Sequence, residues 1–151
     1  MEISGLIRTT CPPDILLSAM RDVTTLSHLL PEGSTMEMTA QGDYDFLVTK
    51  SIGPIKLTLP GKMTLTPTGN GSDHVLTAHA GNIIGGKVDL ELNLQLQNDH
   101  SHTRLTYSGE LTATGLAGRV MREHRARVNG AVKAAMNRIK IHAERQMPLG
   151  D

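Results

Sequence analysis

Aromatic side chains are almost absent from this 151-residue chain. Tyr44, Phe46 and Tyr107 are its only rings, and it has no tryptophan. Because proteins that bind single-stranded nucleic acid stack bases on aromatic side chains, this scarcity argues against a nucleic-acid partner. The core is left to Leu, Val, Ile, Ala and eight methionines, whose side chains are flexible and polarisable. Such a core is either small and well filled or adaptable around a cavity, and composition does not decide between the two.

Cysteine and long apolar runs are scarce as well. Cys11 is the only cysteine, so no internal disulfide forms, which agrees with a reducing compartment. No apolar run approaches the roughly 20 residues of a membrane span, and "MEISGLIRTT" lacks the basic and apolar regions of a signal peptide. With 38% hydrophobic and 20% charged residues, residues 1–151 have the composition of one globular domain. We expect a cytoplasmic protein.

Catalytic motifs are also missing. The chain contains no G-x-S-x-G, H-E-x-x-H, P-loop or G-x-G-x-x-G sequence. Cys11 precedes two prolines with no histidine nearby in sequence, so we interpret it as a packed thiol. We therefore predict a non-catalytic protein with no cofactor, no metal site and no catalytic residue. The enzyme alternative requires His124 and Tyr107 to meet in a pocket.

What the sequence does have is a long alternating strand. In "KVDLELNLQLQN", residues 87–98, apolar side chains alternate with polar ones from Val88 to Gln97. Successive side chains on a strand point to opposite faces, so the pattern predicts a sheet with one apolar and one solvated face. An ordinary strand has about 5–6 residues, so we expect this longer one to bend. The apolar face then covers a helix, a ligand or both.

The other elements form one continuous organisation. "EISGLIRT" predicts a first strand, and "CPPDILLSAMRD" and "TTLSHLL" predict two short helices after it. Alternating runs predict further strands at "TMEMTA", "YDFLVTKS", "IKLTLPGKMTL" and "HVLTAHA" before the long strand, and at "TRLTYSGELTA" after it. Pro60 and Gly61 indicate that "IKLTLPGKMTL" lies at a sheet edge or contains a bulge.

The last part of the chain has a different period. From about Leu116 to Met147, apolar residues recur at steps of three and four, which predicts one long amphipathic helix. Together the elements predict an α+β fold in which a curved antiparallel sheet of about seven strands wraps around the long C-terminal helix. The space between sheet and helix is the candidate ligand cavity. Its predicted lining is Phe46, Val48, Leu57, Leu59, Met63, Leu92, Leu94, Tyr107, Val120, Met121, His124 and Val128.

Three stretches resemble one protein family. "SIGPIKLTLPGKMTL" resembles the Gly-Pro strand segment of the family of the carbon monoxide dehydrogenase G subunit, which belongs to the SRPBCC superfamily of START/Bet v 1-like helix-grip proteins. Gly53, Pro54, Gly61 and Lys62 match the motif in that segment. "PPDILLSAMRD" and the following "LLPEG" are similar to the family's first helical region, and "GLAGRVMREHRARVNGAVKAAM" is similar to its closing helix. The resemblance covers nearly the whole chain.

The resemblance implies a helix-grip fold, an internal apolar cavity and a non-catalytic role. It also implies a hydrophobic or amphipathic ligand such as a quinone or lipid. The partner that it implies is a molybdenum-dependent carbon monoxide dehydrogenase or a related hydroxylase, which such a protein recruits or helps to mature. The sequence departs from the family in two places. Leu16 stands where an aromatic residue is common, and the apolar C-terminal extension that some members use at membranes is missing, so direct membrane anchoring is not expected.

Charge is concentrated in the predicted C-terminal helix. The whole chain has a net formal charge of zero, yet residues 115–147 contain eight basic and two acidic side chains, a net of +6. Arg119, Arg122, Lys133 and Lys140 lie roughly opposite the apolar face. They form either a solvated helix face or a docking surface for an acidic partner or an anionic membrane. In the second interpretation each Lys or Arg near such a membrane contributes about 1 kcal/mol, and the protein lies peripherally at the inner face of the membrane.

The histidines suggest a metal or ligand site at first sight. His100 and His102 form an H-x-H pair in a polar turn and are interpreted as loop residues. His74 and His79 are predicted to face water. His124 falls on the apolar stripe of the predicted helix, where it either orients a ligand or is a hydrogen-bonded core or boundary residue.

Overall fold

The computed structural model describes residues 1–27, 30–52, 54–69, 73–99 and 101–146. Within these residues the chain forms seven strands and four helices. The strands are β1 (Glu2–Thr9), β2 (Thr35–Ala40), β3 (Asp43–Ile52), β4 (Ile55–Thr68), β5 (Asp73–Asn82), β6 (Gly86–Asp99) and β7 (His102–Ala113). The helices are α1 (Pro13–Arg21), α2 (Val23–Ser27), α3 (Gly115–Glu123) and α4 (Arg125–Arg145).

All seven strands form one antiparallel sheet in the order β1-β7-β6-β5-β4-β3-β2. The meander from β2 to β7 pairs each strand with the next, and β1 joins at the far side of β7. The sequence therefore predicted the strands and the antiparallel arrangement correctly. Residues 28 and 29, at the end of the predicted second helix, lie outside the described part of the chain.

Strand β6 separates the two faces of the sheet as its alternation predicts. Leu92, Leu94 and Leu96 are buried, whereas Glu91 and Asn93 between them are exposed. A strand presents alternate side chains to opposite faces. Residues paired in register on neighbouring strands therefore point to the same face of the sheet. We call the face that carries these leucines the inner face and the other the outer face.

Helices α1 and α4 cover one end of the inner face. Leu16 and Met20 of α1 and Ile139 of α4 are buried in one cluster with β1 and β6 residues. Proline at the first position of α1 lacks only an N–H group that has no partner within the helix, and Asp14 in the first turn complements the helix dipole. The apolar stripe of each helix thus has a matching apolar surface on the sheet.

The predicted long C-terminal helix is confirmed as α4, but the expectation that it runs unbroken from about Leu116 is wrong, because the chain breaks at His124. The backbone of His124 has φ −128° and ψ 38°, outside the helical region. The chain contains no proline between α3 and α4 that would mark this break. Instead the two segments pack on different surfaces, α3 on β6 and β7 and α4 on α1 and β1. Tertiary packing therefore sets the bend.

Pro60 belongs to an internal strand of the sheet, but the part of the strand that contains it is paired on one side only. Strand β4 as a whole is flanked by β3 and β5. Its pairing with β5 begins only at Gly61, opposite Ala80, so the half of β4 before that point pairs with β3 alone. Proline has no N–H group to donate, which suits a position where one side of the ladder is open. The expected edge position holds for this half of the strand only.

Candidate ligand-binding site

The inner face of the sheet is fully covered at one end and only partly covered at the other. Near α1, the inward-facing residues Leu94, Leu105 and Tyr107 are at most 3% exposed. Toward the β5–β6 turn, inward-facing residues of β2, β3, β5, β6 and β7 are only half-buried, although Leu59 of β4 is buried. This half-buried set comprises Met36, Phe46, Val48, Ala78, Ala80, Val88, Leu90 and Leu111. We call this region the open end of the inner face.

Helix α3 contacts β6 and β7 at this open end. The backbone N–H of Ala117 in its first turn donates to the carbonyl of Gly85 at 2.9 Å, which fixes the helix against the β5–β6 turn. Its apolar residues Leu116, Val120 and Met121 are half-buried. Apolar surface on both sheet and helix is thus incompletely covered, and a concave or open apolar surface of this kind is what a small-molecule site requires.

The residues predicted to line a cavity divide into two groups. Phe46, Val48, Val120, Met121 and Val128 are half-buried, the first four of them at the open end on β3 and α3. Five other predicted lining residues are buried: Leu59, Met63, Leu92, Leu94 and Tyr107. All of them except Leu59 belong to the two core clusters. The side chain of Leu57 lies outside the described part of the structure.

His124 does not lie on a buried stripe, contrary to the expectation from the sequence. Its side chain is exposed at the break between α3 and α4. The expectation assumed one continuous helical period from Val120 to Val128. Because the break interrupts that period, His124 turns away from the apolar side chains on either side of it in sequence.

His74 is buried, and the prediction that it faces water is wrong. It shares parity with Leu76 on β5 and points to the inner face opposite Leu94, with 1% exposure. Its Nε2 lies 3.5 Å from an Arg21 guanidinium nitrogen. Arginine only donates, so Nε2 is the acceptor and the neutral ring carries its proton on Nδ1. Among the described residues Nδ1 has no hydrogen-bond partner. The pKa of His74 is lowered, first by burial of the ring and second by the positive charge of Arg21.

A polar junction surrounds Arg21 where α1, α2 and α4 meet. The Tyr44 hydroxyl donates to the carbonyl of Arg21 at 2.5 Å, and burial raises the pKa of that hydroxyl. Asp22 accepts from both the backbone N–H and the hydroxyl of Thr25 at 3.2 and 2.8 Å, and its carboxylate lies 3.5 Å from His142 Nε2. These contacts fix the corner between α1 and α2, which is a structural role.

The comparisons with known proteins agree with this architecture. The family model for the carbon monoxide dehydrogenase G subunit (CoxG) matches residues 5–143. The chain belongs to this family. The resemblance seen in the strand segment and the two helical regions is thereby confirmed, and it extends over most of the chain. No curated protein matches the sequence significantly.

Solved structures with similar coordinates agree with the helix-grip fold of this chain. A conserved protein from Geobacillus kaustophilus is similar with a TM-score of 0.75 at 17% identity, covering 96% of each chain. The Zhui aromatase/cyclase from a Streptomyces species is similar with a TM-score of 0.66 at 18% identity, covering 99% of this chain and 96% of its own. A STAR-related lipid transfer protein from Xanthomonas axonopodis is similar with a TM-score of 0.64 at 12% identity, covering 95% and 85%.

Of the CoxG family motif residues, Gly61 lies next to the open end. Gly61 pairs with Phe46 of β3, whose ring lies so close across it that a Cβ on Gly61 would overlap the end of that ring. Lys62 is exposed on the outer face, Pro54 is exposed before β4, and Gly53 lies outside the described residues. Glycine at position 61 therefore has a physical reason, since any side chain there would collide with Phe46.

The predicted docking residues are mostly exposed. Arg119, Arg122 and Lys133 have exposed side chains, and Lys140 is half-buried. None of the four forms an ion pair with the described residues. Because the helix bends at His124, they do not form one straight row.

A cavity of about 800 Å³ that the sequence did not predict lies mainly on the outer face. His79 and Asp89 in its lining are paired, with 2.5 Å between Nδ1 and Oδ1. The residues come together through cross-strand register, which no single strand pattern reveals. The cavity is lined by Asp45, Phe46, Pro60, Gly61, Lys62, His79, Ala80, Gly81, Asn82, Ile83, Lys87 and Asp89.

Metal-ligand clusters and membrane-spanning helices are both absent from the described ranges. No group of three or more His, Cys, Asp or Glu side chains is arranged to hold a metal ion there, and His100 of the H-x-H pair lies outside those ranges. In the same residues no helix has both the length and the apolar character needed to cross a membrane.

Proposed function

We propose that this protein is a non-catalytic binding protein that holds a hydrophobic or amphipathic small molecule between the open end of the inner face and helix α3, the first segment of the C-terminal helical region. The observation that carries the proposal is the half-buried apolar set at the open end, whose β6 and β7 members lie on the strands that α3 contacts. Fully burying a Val, Leu, Ile, Phe or Met side chain is worth about 1.5–3 kcal/mol. A ligand that completes the burial of several such residues therefore gains a substantial hydrophobic driving force.

The chemistry of the walls indicates the class of ligand. Phe46 is the single ring at the open end, and the other walls are aliphatic or methionine side chains. Such walls select size and shape rather than polar groups, which favours a quinone- or lipid-like molecule with a long apolar part. Met121 adds a flexible side chain that adapts to different ligands.

A non-catalytic role is supported by the surroundings of the two residues that an enzyme would need. Tyr107 is 3% exposed in the core, and burial raises the pKa of its hydroxyl. His124 is exposed at the bend between α3 and α4. A catalytic acid or base must come within hydrogen-bonding reach of the proton that it transfers, so both members of a pair have to face one site. One side chain in the core and one in solvent give little support to such a pair.

The biological setting that we propose is that of an accessory protein to a carbon monoxide dehydrogenase-type molybdenum hydroxylase. Membership of the CoxG family supports this setting. Docking would occur through Arg119, Arg122 and Lys133, which are exposed and have no ion-pair partner among the described residues. Unpaired surface cations accelerate association with an acidic partner and set its orientation.

Native mass spectrometry of the protein purified from its own cytoplasm tests the ligand proposal. We expect a stoichiometric mass addition that denaturing extraction identifies as a quinone, lipid or fatty acid. A protein that is purified empty should take up either a short-chain ubiquinone or oleic acid at a ratio of one to one. Failure of the empty protein to take up both probes overturns the proposal.

A further inference from the structure

Two adjacent isoleucines stand at the tip of the β5–β6 hairpin. Ile83 and Ile84 have relative exposures of 103% and 84%. No other large apolar side chain in the described residues exceeds 55%. Hairpin tips normally carry Gly, Asn or Asp, so an Ile-Ile pair at this position has no role in the turn itself.

The tip is held rigidly, so its exposure is a property of the fold. The Asn82 side chain accepts from the Gly85 N–H at 2.5 Å and donates to the Thr58 carbonyl at 2.7 Å. The Thr114 N–H donates to the Lys87 carbonyl at 2.9 Å. Together with the bond from α3 to Gly85 described above, these contacts brace the tip against β4 and α3. A pre-ordered tip loses little conformational entropy on binding.

Cationic side chains lie on β4, β6 and α3, the elements next to the apolar tip. Lys62 and Lys87 are exposed and line the outer-face cavity together with Ile83. Arg119 is exposed in the first turns of α3, and an Arg122 guanidinium nitrogen lies 3.3 Å from where a Cβ on Gly118 would stand, so this side chain folds back toward the start of the helix.

Carboxylates are present at the same cavity. Asp45 and Asp89 both line it. Asp89 is hydrogen-bonded to His79 at 2.5 Å and keeps its negative charge while that ring is neutral. Within the cavity Lys62 and Lys87 therefore balance Asp45 and Asp89, and the positive excess comes from Arg119 and Arg122 of α3.

From these observations we infer that Ile83 and Ile84 insert into an anionic phospholipid bilayer while Lys62, Lys87, Arg119 and Arg122 contact its phosphates. An apolar tip with flanking Lys and Arg matches the membrane interface, where acyl chains lie beneath a layer of negative charge. Two side chains on a convex tip are too small for a stable protein interface, which buries about 800 Å² on each partner. A bilayer accepts a convex tip without needing a complementary groove.

The docking surface lies at the same end of the sheet as the open end of the inner face. Ala80 and Val88 of that open end flank the hairpin tip on β5 and β6. A protein docked in this way presents its apolar site close to the bilayer. The inference nevertheless does not depend on the ligand, because vesicle binding is measured on the protein alone.

Vesicle co-sedimentation tests the inference on the full chain. We expect the protein to bind phosphatidylcholine vesicles that contain phosphatidylglycerol, and to bind pure phosphatidylcholine more weakly. The double variant Ile83→Asp/Ile84→Asp should lower the partition coefficient at least about tenfold, because two apolar side chains no longer enter the lipid. The control Leu6→Asp changes a side chain that is 51% exposed on β1, and it should bind as the parent does.

The absence of tryptophan from the chain supplies a second readout. In Ile84→Trp the single indole should shift its emission to the blue on anionic vesicles and be quenched by brominated acyl chains, whereas in Leu6→Trp it should not. The inference is overturned by no binding to either vesicle, by undiminished binding of the double aspartate variant, or by an unshifted Ile84→Trp spectrum. It is also overturned if the double aspartate variant binds normally and Lys133→Glu does not, because the docking surface is then the basic face of α4.

Discussion

The ring of Tyr107 on β7 lies across Gly5 on the neighbouring strand β1. The two residues are partners in register, and a Cβ added to Gly5 would overlap the Tyr107 hydroxyl oxygen. Gly61 and Phe46 repeat this arrangement on β4 and β3. Two of the three aromatic rings in the chain therefore occupy space that a glycine on the next strand leaves free.

Gly5→Ala is expected to destabilise the protein by about 1–3 kcal/mol, because the new methyl group displaces the buried Tyr107 ring. Urea unfolding followed by circular dichroism measures the free energy of unfolding. Gly130→Ala is the matched control, since a Cβ there meets nothing within 4 Å in helix α4. It should stabilise the protein by about 0.5–1 kcal/mol. Equal effects of the two substitutions would show that Tyr107 is free to move aside.

The strands were predictable from the sequence because their signal is local. A period of two is visible within a single run such as "KVDLELNLQLQN", and burial of Leu92, Leu94 and Leu96 follows from it. Parity also decides the face of a histidine: His74 shares the parity of Leu76, which the sequence interpretation overlooked. The resemblance to the CoxG family indicates the complete fold, which no single strand pattern does.

The candidate site was only partly predictable because its geometry depends on distant segments. The break at His124 has no proline to announce it and follows from α3 and α4 packing on different surfaces. The sequence likewise does not show which end of the inner face remains open, since that depends on where α1 and α4 lie. Val48 and Val120 were therefore predicted together with Leu94, which is buried in the core.

His74 predicts a loss of stability in mild acid. Its folded-state pKa is lowered by burial and then by Arg21, whereas in the unfolded chain it is about 6.5. The unfolded state therefore binds the proton more readily, so the contribution of His74 is fully present above about pH 6.5 and is lost as pH falls below that value. Urea unfolding at several values between about pH 5 and pH 7.5 measures the slope.

Two variants isolate this effect of His74. His74→Leu removes the buried ring and its unpartnered Nδ1, so it should flatten the pH slope. His102→Leu changes an exposed histidine on β7 and should leave the slope as it is in the parent. If the two variants have the same slope, the acid sensitivity arises from other groups.

The proposed docking on a molybdenum hydroxylase predicts a strong response to charge reversal. Replacing Arg119, Arg122 and Lys133 together by Glu should weaken binding to the hydroxylase of the same organism at least about tenfold, because like charges then meet across the interface. Binding of the parent should also fall with added salt. Surface plasmon resonance at two ionic strengths measures both effects.

The control for charge reversal changes the net charge by the same amount elsewhere. Arg8, Lys50 and Lys56 are exposed on β1, β3 and β4, and their joint replacement by Glu should leave the affinity within about threefold of the parent. Undiminished binding of the first triple variant would remove the basic helix from the docking surface. Equal losses in both would mean that overall charge, not a defined surface, drives the association.

Val120→Trp distinguishes an open apolar site from a filled core. If the space beneath α3 is open, the indole enters it at little cost to folding and lowers uptake of a short-chain ubiquinone at least about tenfold by occupying the ligand volume. If the space is filled, overpacking costs about 1–3 kcal/mol. Glu123→Trp, on the exposed end of the same helix, is the control and should change neither uptake nor stability appreciably.

Because the parent has no tryptophan, each indole also reports directly on a bound quinone by quenching. Normal ubiquinone uptake by Val120→Trp with unchanged stability would place the ligand away from α3, and destabilisation without any uptake by the parent would indicate a closed core.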